Sequence, residues 1–208
     1  MATRERWDRA WETLGTEVPA DRVFEDLFNH YAEPQRAYHT LNHIQECFSH
    51  LDAAPGIQRP AEFELALWFH DVIYDTHAAD NEEQSAAWGR AIMESQGVAP
   101  EAIARVVALV LVTKHNVEPA NQDEGLFIDI DLAILGADEA RFDEYEAQVR
   151  QEYAWVPEEV FRSTRAQILR QFQQRPRLYH SDHFHNRLEA QAKNNLARSL
   201  VRLEACGS

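Results

Sequence analysis

The sequence predicts an all-α protein, and three observations support this fold class. Apolar residues recur at intervals of three and four along most of the chain, which is the period of an α-helix. Proline and glycine mark the starts and ends of most of these segments. No two alternating segments are joined by a short glycine turn of the kind that predicts a β-hairpin. We therefore expect about ten helices arranged as a bundle.

The first predicted helix surrounds Trp7 and ends at Gly15, and the second lies between Pro19 and Pro34. The third, over residues 37–51, repeats apolar residues at helical spacing and carries His39 and His43. Residues four apart lie one above the other on a helix, so both imidazoles should face one pocket. The alternative is that both are half-buried histidines of the core.

The central predicted helix begins at Pro60 and ends near Asp75. It is apolar almost all round, which is typical of a buried helix, yet it contains His70 and Asp71. An unpaired buried carboxylate costs several kcal/mol, so Asp71 needs a cation or good hydrogen-bond donors. A metal ion is one solution.

The remaining helices follow from the same signals of proline, glycine and capping residues. They are predicted from Asn81 to Gly97, from Pro100 to about 112, over 126–135, from Asp138 through Tyr153, from Pro157 through Phe172, and from about Phe184 to Ala205. The segment 126–135 repeats the pattern of the central helix, because Asp129 and Asp131 interrupt an apolar run.

Length and composition predict one domain over residues 1–208, since 208 residues with 45% hydrophobic content can bury one sizeable core and no repeat is visible. The first residues lack an apolar signal-peptide core, and no apolar run approaches the roughly 18 residues of a membrane span, so we expect a cytoplasmic protein. Cys47 and Cys206 have no paired spacing and are expected to be free thiols. A net charge of −15 opposes binding to long nucleic acids or anionic membranes.

A His-Asp pair alone is weak evidence for a site, because ten histidines and thirteen aspartates predict roughly 0.6 such pairs by chance. Chance explains less well why His and Asp occur inside several separate apolar helices.

Three motifs resemble the HD superfamily of metal-dependent phosphohydrolases. They are Tyr38-His39-Thr-Leu-Asn-His43, then Leu67-Trp-Phe-His70-Asp71, then Ile128-Asp129-Ile-Asp131-Leu132. The first is also similar to the Tyr-His-Asn-x-x-His of cyclic nucleotide phosphodiesterases, with Thr40 in place of the Asn. The segments beginning at Asn81 and Thr113 resemble a small bacterial branch of the superfamily, and the likeness extends from Arg36 to about Gly136.

The resemblance implies a bundle in which the central helix carries His70 and Asp71, with a metal-site core at about 36–136 and C-terminal helices at 138–205 packing on it. It implies that His43, His70, Asp71 and Asp131 bind a metal ion. Asp129 is the alternative to Asp131, which we prefer because the family's ligand is followed directly by outer apolar residues.

The resemblance also implies roles beside the metal. His39 is the candidate proton donor. Asp75 is expected to orient the attacking water, unless it is a solvent-exposed carboxylate at the helix end. Lys114 and Arg36 are the nearest basic candidates for holding phosphate charge, unless they are solvated side chains.

Two imidazoles and two carboxylates suit manganese, iron, cobalt, nickel or zinc, with magnesium also compatible. His77 and His115 lie on the loops that supply ligands to a second ion in two-metal relatives, so a second metal is an alternative.

The predicted function is hydrolysis of a phosphoester or phosphoanhydride in a small molecule by a metal-activated water, with a nucleotide as the expected substrate. Two alternatives are open: an oxygenase that holds two irons in an HD domain, and a non-catalytic sensor that binds metal and nucleotide. The substrate, the native metal and the oligomeric state do not follow from the sequence.

Overall fold

A computed structural model describes residues 2–116 and 118–205. These residues contain ten α-helices and no strand, so the all-α prediction is confirmed. Cys47 is a buried free thiol as predicted, whereas Cys206 lies outside the described residues. In the described part of the chain, no helix combines the length and the apolar character needed to cross a membrane.

The described residues form two compact units, one up to Ile130 and one from Asp131 onward. The boundary falls at the last residue of a helix, since Asp131 ends α7. Each unit is described by itself below. A single domain over residues 1–208, with the C-terminal helices packed on the core, stays a prediction.

The first unit holds seven helices of the described chain and a 3₁₀ turn at Val112–Lys114. The helices are α1 (Arg4–Thr13), α2 (Asp21–Tyr31), α3 (Leu41–Ala53), α4 (Pro60–Phe69), α5 (Asn81–Ser95), α6 (Pro100–Leu111) and α7 (Gln122–Asp131). Proline occupies the first turn of α4 and of α6, where its missing N–H costs no hydrogen bond.

Helix α4 is the centre of this unit. All of its residues from Ala61 to Phe69 are buried, and it packs against α1, α3, α5 and α6. Two of its aromatic side chains pack edge-to-face against Trp7 of α1, whose ring centroid lies 6.0 Å from that of Trp68 and 5.9 Å from that of Phe69. The predicted buried central helix is therefore confirmed.

The central helix ends earlier than predicted. It stops at Phe69, with His70 as the C-cap, so Asp71 and Asp75 lie in the irregular segment that follows. The C-terminal end of the central helix thus carries His70, as predicted, but the expectation that the helix continues to Asp75 is wrong. The apolar sequence of α4 gives no sign that its last backbone carbonyl groups are hydrogen-bonded by side chains, which allows the helix to end at Phe69.

Helix α3 begins later than predicted. It starts at Leu41, because Thr40 is an extended N-cap with φ −114° and ψ −179° whose hydroxyl accepts a hydrogen bond from the backbone N–H of Asn42. His39 therefore precedes the helix. The expectation that His39 and His43 stack on one helical face is wrong.

The described part of the second unit, up to residue 205, consists of a 3₁₀ segment at Leu132–Gly136 and three helices. They are α8 (Glu139–Glu152), α9 (Glu158–Gln174) and α10 (Asp182–Ala205). Asp138 caps α8 as predicted by accepting a hydrogen bond from the Arg141 N–H. The amide of Asn195 on α10 donates to the carbonyl oxygens of Leu135 and Ala137 at 2.9 and 2.8 Å, which fixes the 3₁₀ segment against α10.

Candidate metal centre

Side chains cap the C-terminal end of α4 by forming hydrogen bonds with its last backbone carbonyl groups. A helix leaves its final C=O groups without intrahelical partners. Here Nδ1 of His70 lies 3.0 Å from the Leu67 oxygen, and the Tyr31 hydroxyl donates to the Trp68 oxygen at 3.0 Å. The helix therefore stops at a residue whose own side chain completes the cap.

The contact with Leu67 also sets the protonation of the His70 ring. A carbonyl oxygen only accepts, so Nδ1 of His70 must carry the proton. In the neutral imidazole, Nε2 is then the acceptor. This is the arrangement in which a histidine is ready to bind a metal ion through Nε2.

Three acceptor atoms converge beyond this helix end. Nε2 of His43 lies 3.1 Å from Nε2 of His70 and 3.5 Å from Oδ2 of Asp71. The same carboxylate oxygen lies 3.1 Å from Nε2 of His70. Both histidines are buried, and the Asp71 side chain is 18% exposed, so the cluster opens to solvent on the carboxylate side.

The separations match those of ligands around one ion. Ligand atoms about 2.0–2.2 Å from a metal, at tetrahedral or octahedral angles, lie about 2.8–3.6 Å from one another. All three distances in the cluster fall in this range. Acceptor atoms this close repel unless a proton or a cation lies between them. His43, His70 and Asp71 can therefore hold a metal ion together.

The electrostatics of the cluster favour the ionised carboxylate. Burial alone would raise the pKa of Asp71. His70, when protonated, carries positive charge next to this carboxylate and donates a hydrogen bond to it, and together with the charges of protonated His39 and His43 this holds the pKa of Asp71 well below its usual range. Asp71 is thus an anion next to two imidazoles, which is a suitable donor set for a divalent cation.

His39 reaches the same neighbourhood without being on α3. Its ring stacks on Tyr74 with the centroids 4.1 Å apart, and it lies 6.0 Å from the His43 ring. The Tyr38 ring contacts both imidazoles, at 4.9 and 4.8 Å between centroids. The structure thus places the candidate proton donor beside the cluster, held by two tyrosine rings.

Arg36 is buried among backbone groups of the site. Its Nη1 donates to the carbonyl oxygens of Asp71 and His39, at 2.7 and 3.0 Å, and its Nη2 donates to that of Val72 at 2.8 Å. The Nε–H is bound by Glu33 at 3.0 Å. Four of the five N–H groups are therefore committed within the protein, which leaves little for the predicted contact with phosphate.

Lys114, the other predicted phosphate-binding cation, ends the 3₁₀ turn of the first unit, and its ammonium forms an ion pair with Glu83 of α5. The hydrogen bond with Glu83 raises the pKa of Lys114. A role in holding phosphate stays a prediction.

Asp75 is exposed and binds His77 instead of lying on the helix one turn after Asp71. Its carboxylate accepts from the His77 N–H at 2.9 Å and contacts Nδ1 of the ring at 3.2 Å. His115 follows the 3₁₀ turn with a left-handed φ of 55°. The roles predicted for Asp75 in orienting water and for His77 and His115 at a second ion are untested.

Asp131 belongs to the second unit, so its place in the ligand set remains a prediction. Helix α7 nevertheless distinguishes it from Asp129. The ring of Phe127 on α7 contacts that of His70 at 6.0 Å between centroids. Asp131 follows Phe127 by four residues and shares its helical face, whereas Asp129 is fully buried on another face. This supports the preference for Asp131.

Three further residues of the site were missed from the sequence. The Cys47 thiol lies 3.8 Å from both ring nitrogens of His43, one helical turn earlier, and that spacing was a usable signal. Asn81 pairs with the backbone N–H and C=O of Asp75, and the Ser85 hydroxyl does the same for Ile73. These two side chains of α5 hold the segment that follows Asp71.

The fold and the cluster define an all-α protein with a candidate metal centre. In comparisons with family models, curated proteins and solved structures, nothing matches this chain.

Proposed function

We propose that this protein is a metal-dependent phosphohydrolase that cleaves a phosphoester or phosphoanhydride of a small molecule, and that its substrate is a nucleotide. The observation that carries the proposal is the convergence of Nε2 of His43, Nε2 of His70 and Oδ2 of Asp71 within 3.1–3.5 Å. A divalent ion at this point would polarise a phosphoryl oxygen and lower the pKa of a water molecule.

The residues around the cluster have complementary tasks. Asp71 and the two imidazoles would hold the ion, with Asp131 as the proposed fourth ligand, and the ion would supply charge for binding the reacting phosphate. His39, held against Tyr74, donates a proton to the leaving oxygen. Protonation matters most for alkoxide leaving groups such as a ribose oxygen, because these leave poorly as anions.

The charge of the chain favours a small substrate. A net charge of −15 repels a long polyanion, whereas a few phosphate groups can be neutralised locally by one bound ion. The motif order His, His-Asp, Asp supports phosphate chemistry through its resemblance to the HD superfamily.

The test is phosphate release from a panel of nucleotides by protein stripped of metal and then supplied with Mn²⁺, Fe²⁺, Co²⁺, Ni²⁺, Zn²⁺ or Mg²⁺. We expect release that requires added metal and that is lost in His70→Ala. Metal binding without release from any substrate would reject the proposal in favour of a binding function. Oxygen uptake by the iron-loaded protein, again without phosphate release, would reject it in favour of an oxygenase.

A further inference from the structure

We infer that Arg36 is the positioning residue of the metal centre, which sets the geometry of the Asp71 turn and of His39 without touching the substrate. The inference rests on the proposed metal site. It assigns to Arg36 a role in building the site, in place of binding phosphate.

The hydrogen bonds of the guanidinium join two separate segments. The turn after α4 supplies the carbonyl oxygens of Asp71 and Val72, and the segment before α3 supplies that of His39. Along the sequence, Asp71 and Val72 lie 35 and 36 positions from Arg36, whereas His39 lies 3 positions from it. The planar, rigid guanidinium group of Arg36, called the fork below, therefore fixes the candidate ligand Asp71 and the candidate proton donor His39 relative to each other.

Aromatic rings hold the fork in place. The guanidinium carbon lies 5.2 Å from the centroid of Tyr31 and 5.4 Å from that of Tyr74. Tyr74 in turn stacks on His39 at 4.1 Å, and the Tyr31 hydroxyl binds the Trp68 carbonyl at the end of α4. Arg36 thus contacts both rings that support the site.

Burial and charge indicate that this cation is part of the structure. The Arg36 side chain is 0% exposed, and its charge is balanced by Glu33, which lies 3.0 Å from Nε. A group that clamps a substrate phosphate needs N–H donors directed into an open site. Here four donors end on protein oxygens, so the fork orients backbone groups.

Lysine cannot replace this arrangement. Its ammonium keeps the positive charge but presents donors from a single point, so it cannot reach three carbonyl oxygens and one carboxylate in fixed directions. We therefore expect Arg36→Lys to fold yet to hold Asp71 in a less defined position.

The matched control is Arg6→Lys. Arg6 is likewise buried in the first unit, where it binds Asp52 and Glu64 through its guanidinium and lies 4.4 Å over the Phe48 ring. Both substitutions remove a buried guanidinium and should lower thermal stability. Only Arg36, however, donates to the backbone of Asp71, Val72 and His39; Arg6 binds the carboxylates of Asp52 on α3 and Glu64 on α4, which are not residues of the candidate site.

The experiment compares wild type, Arg36→Lys and Arg6→Lys by titration with Co²⁺, following both affinity and the visible ligand-field spectrum. We expect Arg36→Lys to lose about 10- to 100-fold in affinity, the usual effect of removing a group that orients metal ligands, and to change the spectrum. Arg6→Lys should keep the wild-type affinity and spectrum. Equal metal binding in the two variants would overturn the inference.

Hydrogen exchange of the metal-free proteins separates this inference from the proposed function. Amides of residues 70–75 should exchange faster in Arg36→Lys than in Arg6→Lys, and unchanged exchange would reject the positioning role whether or not wild type binds metal. Absence of metal binding in wild type would reject the proposed function instead.

If Arg36→Lys does not fold, Glu33→Gln provides the same comparison, because it removes the carboxylate that orients Nε of Arg36. We expect it to lower the Co²⁺ affinity and to speed the exchange of amides 70–75, both by less than Arg36→Lys.

Discussion

The Nε2 atoms of His43 and His70 lie 3.1 Å apart although the residues are 27 positions apart in the sequence. His70 has its proton on Nδ1, where it faces the Leu67 carbonyl. The short distance therefore requires either a proton on Nε2 of His43 or a cation between the rings. With the Asp71 carboxylate 3.1 Å from one ring and 3.5 Å from the other, a divalent cation satisfies all three atoms at once.

We predict that His43→Ala, His70→Ala and Asp71→Ala each abolish stoichiometric metal binding. Removing one ligand opens the coordination shell and leaves the others incompletely compensated. Elemental analysis of purified protein, together with Co²⁺ titration, measures this loss. His183→Ala, a histidine of α10 in the second unit, is the control and should bind as wild type does. Full metal content in any of the three variants would exclude that residue as a ligand.

The same measurement decides between the two acids of α7. We expect Asp131→Asn to lose metal and Asp129→Asn to keep it, since only Asp131 shares the helical face of Phe127, which contacts His70. Asparagine is chosen because Asp129 is fully buried and a smaller residue would add a cavity. The opposite result would reverse the assignment.

The helices were predictable because their apolar period is strong and their ends carry proline, glycine or capping residues. The largest errors fall at the end of α4, at the start of α3, and at α7, which was predicted over 126–135 but spans Gln122–Asp131 and is followed by a 3₁₀ segment. The apolar run around Val72 continues past the true end of α4, and the groups that terminate it, Tyr31 and Arg36, come from distant positions. A backbone carbonyl has no sequence signature, so the contacts of Arg36 could not be anticipated.

At the start of α3 the relevant signal was present but was outweighed by the spacing of the histidines. Thr40 is a favoured N-cap residue, yet His39 and His43 at four positions apart indicated a continuous helix. The structure resolves this conflict in favour of the cap. The two histidines are close together without sharing a helix, because the His39 ring stacks on Tyr74 and thereby lies near the ring of His43.

Thr40→Ala tests this helix boundary through the sign of its effect. As an N-cap, Thr40 should lose about 1 kcal/mol of unfolding free energy on replacement by alanine. Inside a helix, the same substitution would raise stability by roughly 0.5 kcal/mol, because alanine has the higher helix propensity. Urea denaturation measures the difference. Thr40→Ser keeps the hydroxyl and should match wild type, and a stabilised alanine variant would place Thr40 within the helix.

The second unit should lose stability in acid through Asp143. The hydrogen bond with Arg202 at 2.7 Å, and then those with Arg198 at 2.9 Å, lower the pKa of Asp143 from 3.8 to about 2, against the opposing effect of burial. A lowered folded-state pKa contributes stability above the unfolded value, and that contribution disappears as the pH falls from about 4 to about 2. The side chain is 38% exposed, so screening limits the contribution to below about 1 kcal/mol.

We therefore expect Asp143→Asn to be less stable than wild type at pH 5 and equal to it near pH 2, as measured by urea unfolding. High salt should reduce the difference at pH 5, because it screens exposed ion pairs. A difference that stays constant from pH 5 to pH 2 would show that the ionised carboxylate does not contribute.

The final prediction concerns His39, whose imidazole stacks on Tyr74 and lies 6.0 Å from the ring of His43 without belonging to α3. If it protonates the leaving group, His39→Gln should keep the fold and the bound metal but lose about 10²- to 10⁴-fold in the rate of phosphate release. The loss should be smallest for substrates with good leaving groups such as p-nitrophenolate, because these need little protonation. Steady-state rates for a series of leaving groups, with metal content measured on the same samples, test this. An equal loss for good and poor leaving groups would reject the acid role, and loss of metal would instead make His39 a ligand or a support for one.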